Sequence, residues 1–219
     1  MKPVPYYDQD GITIYHGDCA QVLPFLDPVD LLLTDPSYGI GADTHAGKAE
    51  NGWKQYGSSG WDKEKPPGYL LEFAISKAKI AIVWGGNYFC LPPSMRWLVW
   101  DKGQREFSLA DCELAWTNQN KAVRAITYSR GEALLDGKQH PTQKPEAVMK
   151  WCIGLNDECA TILDPFMGSG TTLVAAKNMG KRAIGIEREL KYCEIAVRRL
   201  AQQTLFQCEQ PNIVDMRKS

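Results

Sequence analysis

Residues 164–172 read Asp164-Pro165-Phe166-Met167-Gly168-Ser169-Gly170-Thr171-Thr172. The apolar run before them, Thr161-Ile162-Leu163, predicts a buried strand ending at Asp164, and Leu173 to Lys177 predict the start of a helix. Strand, glycine turn and helix start together present backbone N–H groups and a helix N-terminus to a ligand. Gly168 and Gly170 let the backbone come close to that ligand with no Cβ in the way. Beyond the helix, Arg182-Ala183-Ile184-Gly185-Ile186-Glu187 predicts a second strand, closing on an acid placed to accept hydrogen bonds from ribose hydroxyls. A lone G-x-G turn would be an ordinary βαβ crossover. With an acid ending each strand, a nucleoside site is the stronger expectation.

Earlier in the chain, Val29-Asp30-Leu31-Leu32-Leu33-Thr34 is nearly continuous in apolar residues, as a central parallel strand is when both faces are covered. It delivers Asp35-Pro36-Ser37-Tyr38-Gly39 to the strand's carboxyl end, where open α/β sheets bind their ligands. A turn accounts for the proline and the glycine. It does not call for an acid and an aromatic flanking Pro-Ser. Nucleobase chemistry does: an exocyclic amine is a poor nucleophile because its lone pair is delocalised into the ring. Hydrogen bonds from both amine protons, to the Asp35 carboxylate and the Pro36 carbonyl, favour a pyramidal nitrogen. Tyr38 can stack on an extruded base and hold it in line.

These stretches resemble the motifs of the amino-group DNA methyltransferases. Asp35-Pro36-Ser37-Tyr38 resembles their Asp-Pro-Pro-Tyr catalytic motif, with Ser37 in place of the second proline. Residues 164–172 are similar to their S-adenosylmethionine motif, and His140-Pro141-Thr142-Gln143-Lys144-Pro145 to the His-Pro-Thr-x-Lys-Pro segment before it. The catalytic motif precedes the cofactor motif, which is the permuted order of the family's β group.

The resemblance implies an α/β, Rossmann-like S-adenosylmethionine-dependent methyltransferase fold. Its central sheet would be mostly parallel, with an antiparallel hairpin at one edge. Gly11-Ile12-Thr13-Ile14-Tyr15 would lie beside residues 182–186, next to 161–163, with 29–34 across the switch point. S-adenosylmethionine would be held by Asp18, Cys19, His140, Thr142, Lys144, Asp164, Pro165, Phe166, Gly168, Ser169, Gly170, Thr171, Thr172 and Glu187. Asp35, Pro36, Ser37 and Tyr38 would form the catalytic site, without a metal. The expected target is N6 of a flipped adenine, because the family's adenine enzymes commonly begin the motif with Asp. Cytosine N4 is the alternative, and a catalytically silent DNA-binding subunit of the same fold is a further one. Asp18 is equally well explained as the cap of a short helix over Ala20 to Phe25.

Residues 1–219 are expected to form one domain, with a mobile loop over about 40–68 and a small target-recognition segment over about 117–139. Lys48, Trp53, Lys54 and Trp61 in that loop are placed to meet DNA, or the loop is a surface insertion. Lys121, Arg124, Arg130 and Lys138 form a basic segment, read either as phosphate contacts or as a solvated face. Double-stranded DNA is the expected partner; a homodimer and a restriction endonuclease partner are left open. A helix is predicted over Tyr69 to Lys79, strands over Ile80 to Trp84, Trp97 to Trp100 and Cys112 to Trp116, and helices over Pro145 to Leu155 and Leu190 to Gln203. The stripe Val148, Trp151, Cys152 and Leu155 is expected to be buried.

A net charge of −1 gives no global sign of nucleic-acid binding, so local features must carry it. The 7 cysteines are scattered and never form a C-x-x-C pair, which argues for reduced thiols in a cytoplasm and against a zinc site. No signal-peptide layout opens the sequence, and no run is long and apolar enough for a membrane helix.

Overall fold

The computed structural model describes residues 2–39, 65–105, 110–129, 131–132 and 144–207, with side chains of the last helix through residue 202. Among these, 9 strands form one sheet. They are β1 (Tyr7–Gln9), β2 (Ile12–His16), β3 (Val29–Thr34), β4 (Ala78–Trp84), β5 (Trp97–Asp101), β6 (Cys112–Thr117), β7 (Arg124–Thr127), β8 (Thr161–Asp164) and β9 (Arg182–Glu187). The helices are α1 (Cys19–Val22), α2 (Gly68–Ser76), α3 (Glu146–Gly154), α4 (Thr171–Asn178) and α5 (Leu190–Gln207). None of the described helices is long and apolar enough to cross a membrane.

The strand order is β1-β2-β9-β8-β3-β4-β6-β5-β7. From β2 to β4 all neighbours are parallel, with Ile12 opposite Ala183, Thr161 opposite Arg182, and Leu31 opposite both Ile162 and Ile80. This is the placement expected from the sequence, with β3 and β8 meeting at the switch point. β6 then runs antiparallel to both β4 and β5, giving the expected hairpin.

Pleating explains why β3 and β4 are apolar on both sides. Leu31, Leu33, Ile82 and Trp84 pack with residues of α3, α4 and α5. Leu32, Ala81 and Val83 face the other way, toward α1 and α2. Two polar clasps fix the short β3–β8 ladder. At one end Asp30 accepts the backbone N–H groups of Ala160 and Thr161, both at 3.1 Å, and the Thr161 hydroxyl at 2.8 Å. At the other end the buried Thr34 hydroxyl donates to Asp164 at 2.7 Å.

Several local expectations are corrected. Gly11 belongs to the tight β1–β2 turn, not to β2; Asp10 and Gly11 have φ of 52° and 76°, the left-handed pair that such hairpins use. α2 stops at Ser76, because Ala78 already pairs with Val29 and Lys79 lies in β4. In α3 the buried stripe is Val148, Met149, Cys152 and Ile153, with Trp151 and Leu155 only half-covered. Its period is helical, as read, but the face is rotated. β1 and β7 were not foreseen: each is a short edge strand with little buried side-chain surface to mark it.

Two glycines just past element ends separate backbone strain from steric overlap. Gly180, after α4, has φ +66° with open space where a Cβ would be. Gly85, after β4, has φ +65°, and a Cβ there would lie 2.1 Å from the Tyr38 ring. Gly180→Ala should cost about 1–2 kcal/mol from left-handed strain alone, a fall of about 2–8 °C in Tm for a domain of this size. Gly85→Ala should lose clearly more in differential scanning calorimetry. Equal losses would mean that Tyr38 yields at no cost.

Candidate active site

Asp35, Asp164, Glu187 and the Gly17-Asp18 pair all follow or end the carboxyl ends of β3, β8, β9 and β2, which are neighbours in the sheet. They border one cleft of about 520 Å³, within the usual range for small-molecule sites. Gly17 donates its N–H to the Glu187 carbonyl at 2.9 Å, tying the β2 end to the β9 end. Asp18 caps α1, accepting the Ala20 N–H at 2.8 Å, and it also faces the cleft. Cys19 is buried; burial, then the charge of Asp18, pushes its thiol up to about 12, so it stays neutral.

The glycine turn is held from several sides. Asp164 accepts the Phe166 N–H at 3.2 Å besides the Thr34 hydroxyl. Arg199 on α5 donates to the Ser169 carbonyl at 2.7 Å and to the Thr171 hydroxyl at 3.0 Å. Glu187 accepts the Gly168 N–H at 3.0 Å and the Glu189 N–H at 2.7 Å; burial pushes its carboxyl up against those bonds. The two glycines serve different ends. Gly168, at φ +50°, has open space on its Cβ side, as a ligand contact requires. Gly170, at φ +80°, would place a Cβ 2.7 Å from that of Ala196, so it is glycine for the sake of α5 packing.

Across the cleft, Asp35 sits in a row of buried charge. Lys144, 4% exposed, lies 2.7 Å from Asp35 Oδ2, 2.9 Å from Glu113 Oε2 and 3.0 Å from the Tyr38 hydroxyl. These are the three donors an ammonium has. Tyr38 in turn donates to Asp35 Oδ1 at 2.5 Å, and Lys102 pairs with Glu113 Oε1 at 2.7 Å. Burial pushes the Asp35 carboxyl up, with Lys144 pulling the other way and Glu113 adding to the rise. Burial also works against the charged Lys144, but Asp35 and Glu113 outweigh it and hold the ammonium protonated. The same holds for Glu113: burial is overcome by Lys144 and Lys102, which keep its carboxyl down at about 2. The Tyr38 ring stacks on Tyr88, with centroids 4.8 Å apart and planes at 15°.

The cleft thus gathers Asp18, Cys19, Asp35, Ser37 and Lys144 with the glycine turn and Glu187. Lys144, expected beside a cofactor, reaches Asp35 as well. Pro36 is buried, and neither it nor Tyr38 lines the cleft. Lys121 and Arg124 are exposed and do not line the cleft; Arg124 opens β7, with β4, β6 and β5 between it and β3. His140, Thr142, Lys48, Trp53, Lys54, Trp61, Arg130 and Lys138 lie outside the described residues. Sequence reading missed Glu113, Lys102, Arg199 and Tyr88. For Glu113 a signal existed: it is the one charged residue in the otherwise apolar Cys112–Trp116 run, and a buried carboxylate is costly unless paired. Among the described residues no three His, Cys, Asp or Glu side chains converge as a metal site requires.

Comparison with known proteins follows the same lines. Residues 76–198 match the N6_N4_Mtase family of DNA methylases. The chain is 28% identical to the Type II methyltransferase M2.DpnII of Streptococcus pneumoniae, over 90% of this chain and 92% of that protein. It is 25% identical to the Type II methyltransferase M.ScaI of Streptomyces caespitosus, over 92% and 86%. Its fold matches the M1.HpyAVI–SAM complex with TM-score 0.58 and 22% identity, covering 86% of this chain and all of that one. It also matches the cytosine-N4-specific PvuII DNA methyltransferase with TM-score 0.57 and 16% identity, over 90% and 89%. The chain belongs to the N6_N4_Mtase family: it is a DNA methyltransferase.

Asp164 gives the site a pH signature. Burial pushes its carboxyl from 3.8 up to about 6, with hydrogen bonds opposing. A carboxyl raised on folding binds its proton more tightly in the native state. The stability it lends is therefore full below pH ~4 and is lost as pH rises through about 6. The difference corresponds to roughly 3 kcal/mol. Asp164→Asn keeps an acceptor oxygen and cannot ionise. In urea unfolding, its stability relative to the natural protein should improve by about that amount between pH 4 and pH 7.5; a constant difference would show that Asp164 is not raised.

Proposed function

We propose that this DNA methyltransferase transfers a methyl group from S-adenosylmethionine to the exocyclic N6 of an adenine turned out of the duplex. One observation carries the reading: Asp35 borders the same cleft as the glycine turn of residues 164–172 and Glu187. Direct transfer needs the acceptor amine and the donor methyl side by side.

The chain's own groups fit S-adenosylmethionine. Glu187, at the β9 end, offers a carboxylate for ribose hydroxyls, and Gly168 leaves room for close backbone approach. Asp18 and the Cys19 backbone, at the α1 start, stand where an adenine ring would edge the cleft. Phe166 to Thr172, with His140 and Thr142, would surround the amino-acid end. When bound, the cofactor supplies a methyl already activated by the sulfonium charge.

On the acceptor side, the Asp35 carboxylate and the Pro36 carbonyl would take the two amine protons in hydrogen bonds. That returns the nitrogen lone pair from the ring. The Tyr38 ring, stacked on Tyr88 in the structure, would exchange that contact for the face of the extruded base. The bound cofactor would supply the methyl and leave with the electron pair of the sulfur–carbon bond that breaks, so that the target nitrogen would turn cationic beside Asp35. The methylated amine then gives its extra proton to Asp35, whose proton affinity burial has raised. The fixed N–H and O–H donors around Asp35 also keep it from swinging away between turnovers. Cytosine N4 is the second reading, since its amine offers the same two N–H donors. Adenine is favoured because the family's adenine enzymes commonly begin this motif with Asp, as Asp35 does here.

The test is nucleoside mass spectrometry on DNA from a host lacking amino-methylation, expressing either the natural chain or Asp35→Ala. N6-methyladenine should rise with the natural chain only, and Asp35→Ala should lose about 10²–10⁴-fold in rate while still binding S-adenosylmethionine. A rise in N4-methylcytosine instead would move the target to cytosine. Full turnover by Asp35→Ala would overturn the assignment of the site.

A further inference from the structure

We propose that Glu113 is a positioning residue of the methyl-transfer site, holding Lys144 against Asp35 and offsetting the ammonium's charge where the target nitrogen turns cationic. The inference rests on the reading of Asp35 given above. Glu113 does not line the cleft, so it can act only through another group. Its two oxygens are divided between two buried cations, Lys102 at 2.7 Å and Lys144 at 2.9 Å. The result is an alternating row, Lys102, Glu113, Lys144, Asp35, in which positive and negative charges balance.

Lys144 on its own would be a poor neighbour for the chemistry. It sits 2.7 Å from one oxygen of the carboxylate that would accept the target amine's proton, and a positive charge there opposes both proton acceptance and a developing ammonium. A second carboxylate on the far side of Lys144 divides its pull and cancels its field. It also fixes direction. With one N–H held by Glu113 and one by the Tyr38 hydroxyl, the third is aimed at Asp35 Oδ2. Two faces of aromatic rings complete the cradle: Lys144 Nζ lies 5.4 Å from the Tyr38 centroid and 5.5 Å from that of Trp84.

The experiment is a double-mutant cycle with Glu113→Gln and Lys144→Met, following tritiated methyl transfer to unmethylated genomic DNA. Glu113→Gln should lower kcat by about 10–100-fold and leave the Kd for S-adenosylmethionine unchanged. Added to Lys144→Met, it should change kcat by less than about twofold, because the group it acts through is gone. Wild-type kcat in Glu113→Gln, or a loss that adds in full to that of Lys144→Met, would overturn the proposal. Should the amide variant not fold, Glu113→Asp decides the matter. Its shorter carboxylate cannot reach both lysines, so kcat should fall with cofactor binding intact, and an unchanged kcat would overturn the proposal. Asp35→Ala is run alongside. If it stays active, the reading of the site falls; if it is dead while Glu113→Gln is fully active, only the role of Glu113 falls.

Discussion

The cleft depends on β3 lying beside β8 in a single register. Only Leu31–Ile162 and Leu32–Leu163 are paired between them, a short ladder for the junction where the sheet reverses its order. Apolar packing alone would tolerate a slip of two residues, which keeps each side chain on its face. The polar clasps do not tolerate it. A two-residue slip would part Asp30 from the Ala160 and Thr161 N–H groups and bury Thr34 and Asp164 without each other. The register therefore fixes how far Asp35 emerges beyond β3 relative to the start of the glycine turn. Adjacency of the two motifs, far apart in sequence, rests on four hydrogen-bonding side chains, Asp30, Thr161, Thr34 and Asp164, of which Asp164 alone also lines the cleft.

Emerging at that point, Asp35 meets a second constraint. A carboxylate half-sunk beside Pro36 must be protonated, hydrated or paired. Pairing it with one lysine would leave a strong local ion pair with little proton affinity to spare. The observed solution spreads the charge over two lysines and two carboxylates. Burial and Glu113 push Asp35 up while Lys144 pulls it down, and the carboxyl ends above its ordinary range. Glu113 itself, facing two lysines, is held low. Two carboxylates on one ammonium thus differ because one has a second cation and the other does not. That asymmetry leaves the Asp35 carboxyl raised and the Glu113 carboxyl lowered.

Much of this was legible in the sequence, and the reasons differ by element. β3, β4, β8 and β9 were readable because they are covered on both faces and so are nearly pure apolar runs. β1 and β7 were not, because an edge strand needs only backbone pairing on one side, and pairing leaves no mark on composition. Residues 35–38 and 164–172 were legible as chemistry, since an acid or a glycine at the end of a buried strand asks for an explanation. The twin roles of Gly168 and Gly170 were not, because Ala196 is distant in sequence and only packing shows it. The partners of Asp35 were harder still. Lys144 was visible as a motif residue, but nothing local says that its ammonium ends on three groups drawn from β6 and the loop after β3.

The antiparallel edge then acquires a reason beyond closing the sheet. In a parallel strand only the last residues reach the carboxyl-end cleft, so each such strand can offer that region its terminus and nothing more. β6 runs the other way. With Ala115 opposite Trp84, its opening residues Cys112 and Glu113 extend past the end of β4, on the side where Asp35 emerges. β5 pairs with it so that Asp101 lies opposite Cys112, and Lys102 follows at the same level. The hairpin thereby lifts a carboxylate and a lysine above the rim of the parallel core, at a depth no crossover loop is required to hold. The parallel half of the sheet shapes the side of the cleft that would bind the cofactor. The antiparallel edge supplies Glu113 and Lys102, which with Lys144, from just before the helix Glu146–Gly154, complete the row of charge beside Asp35.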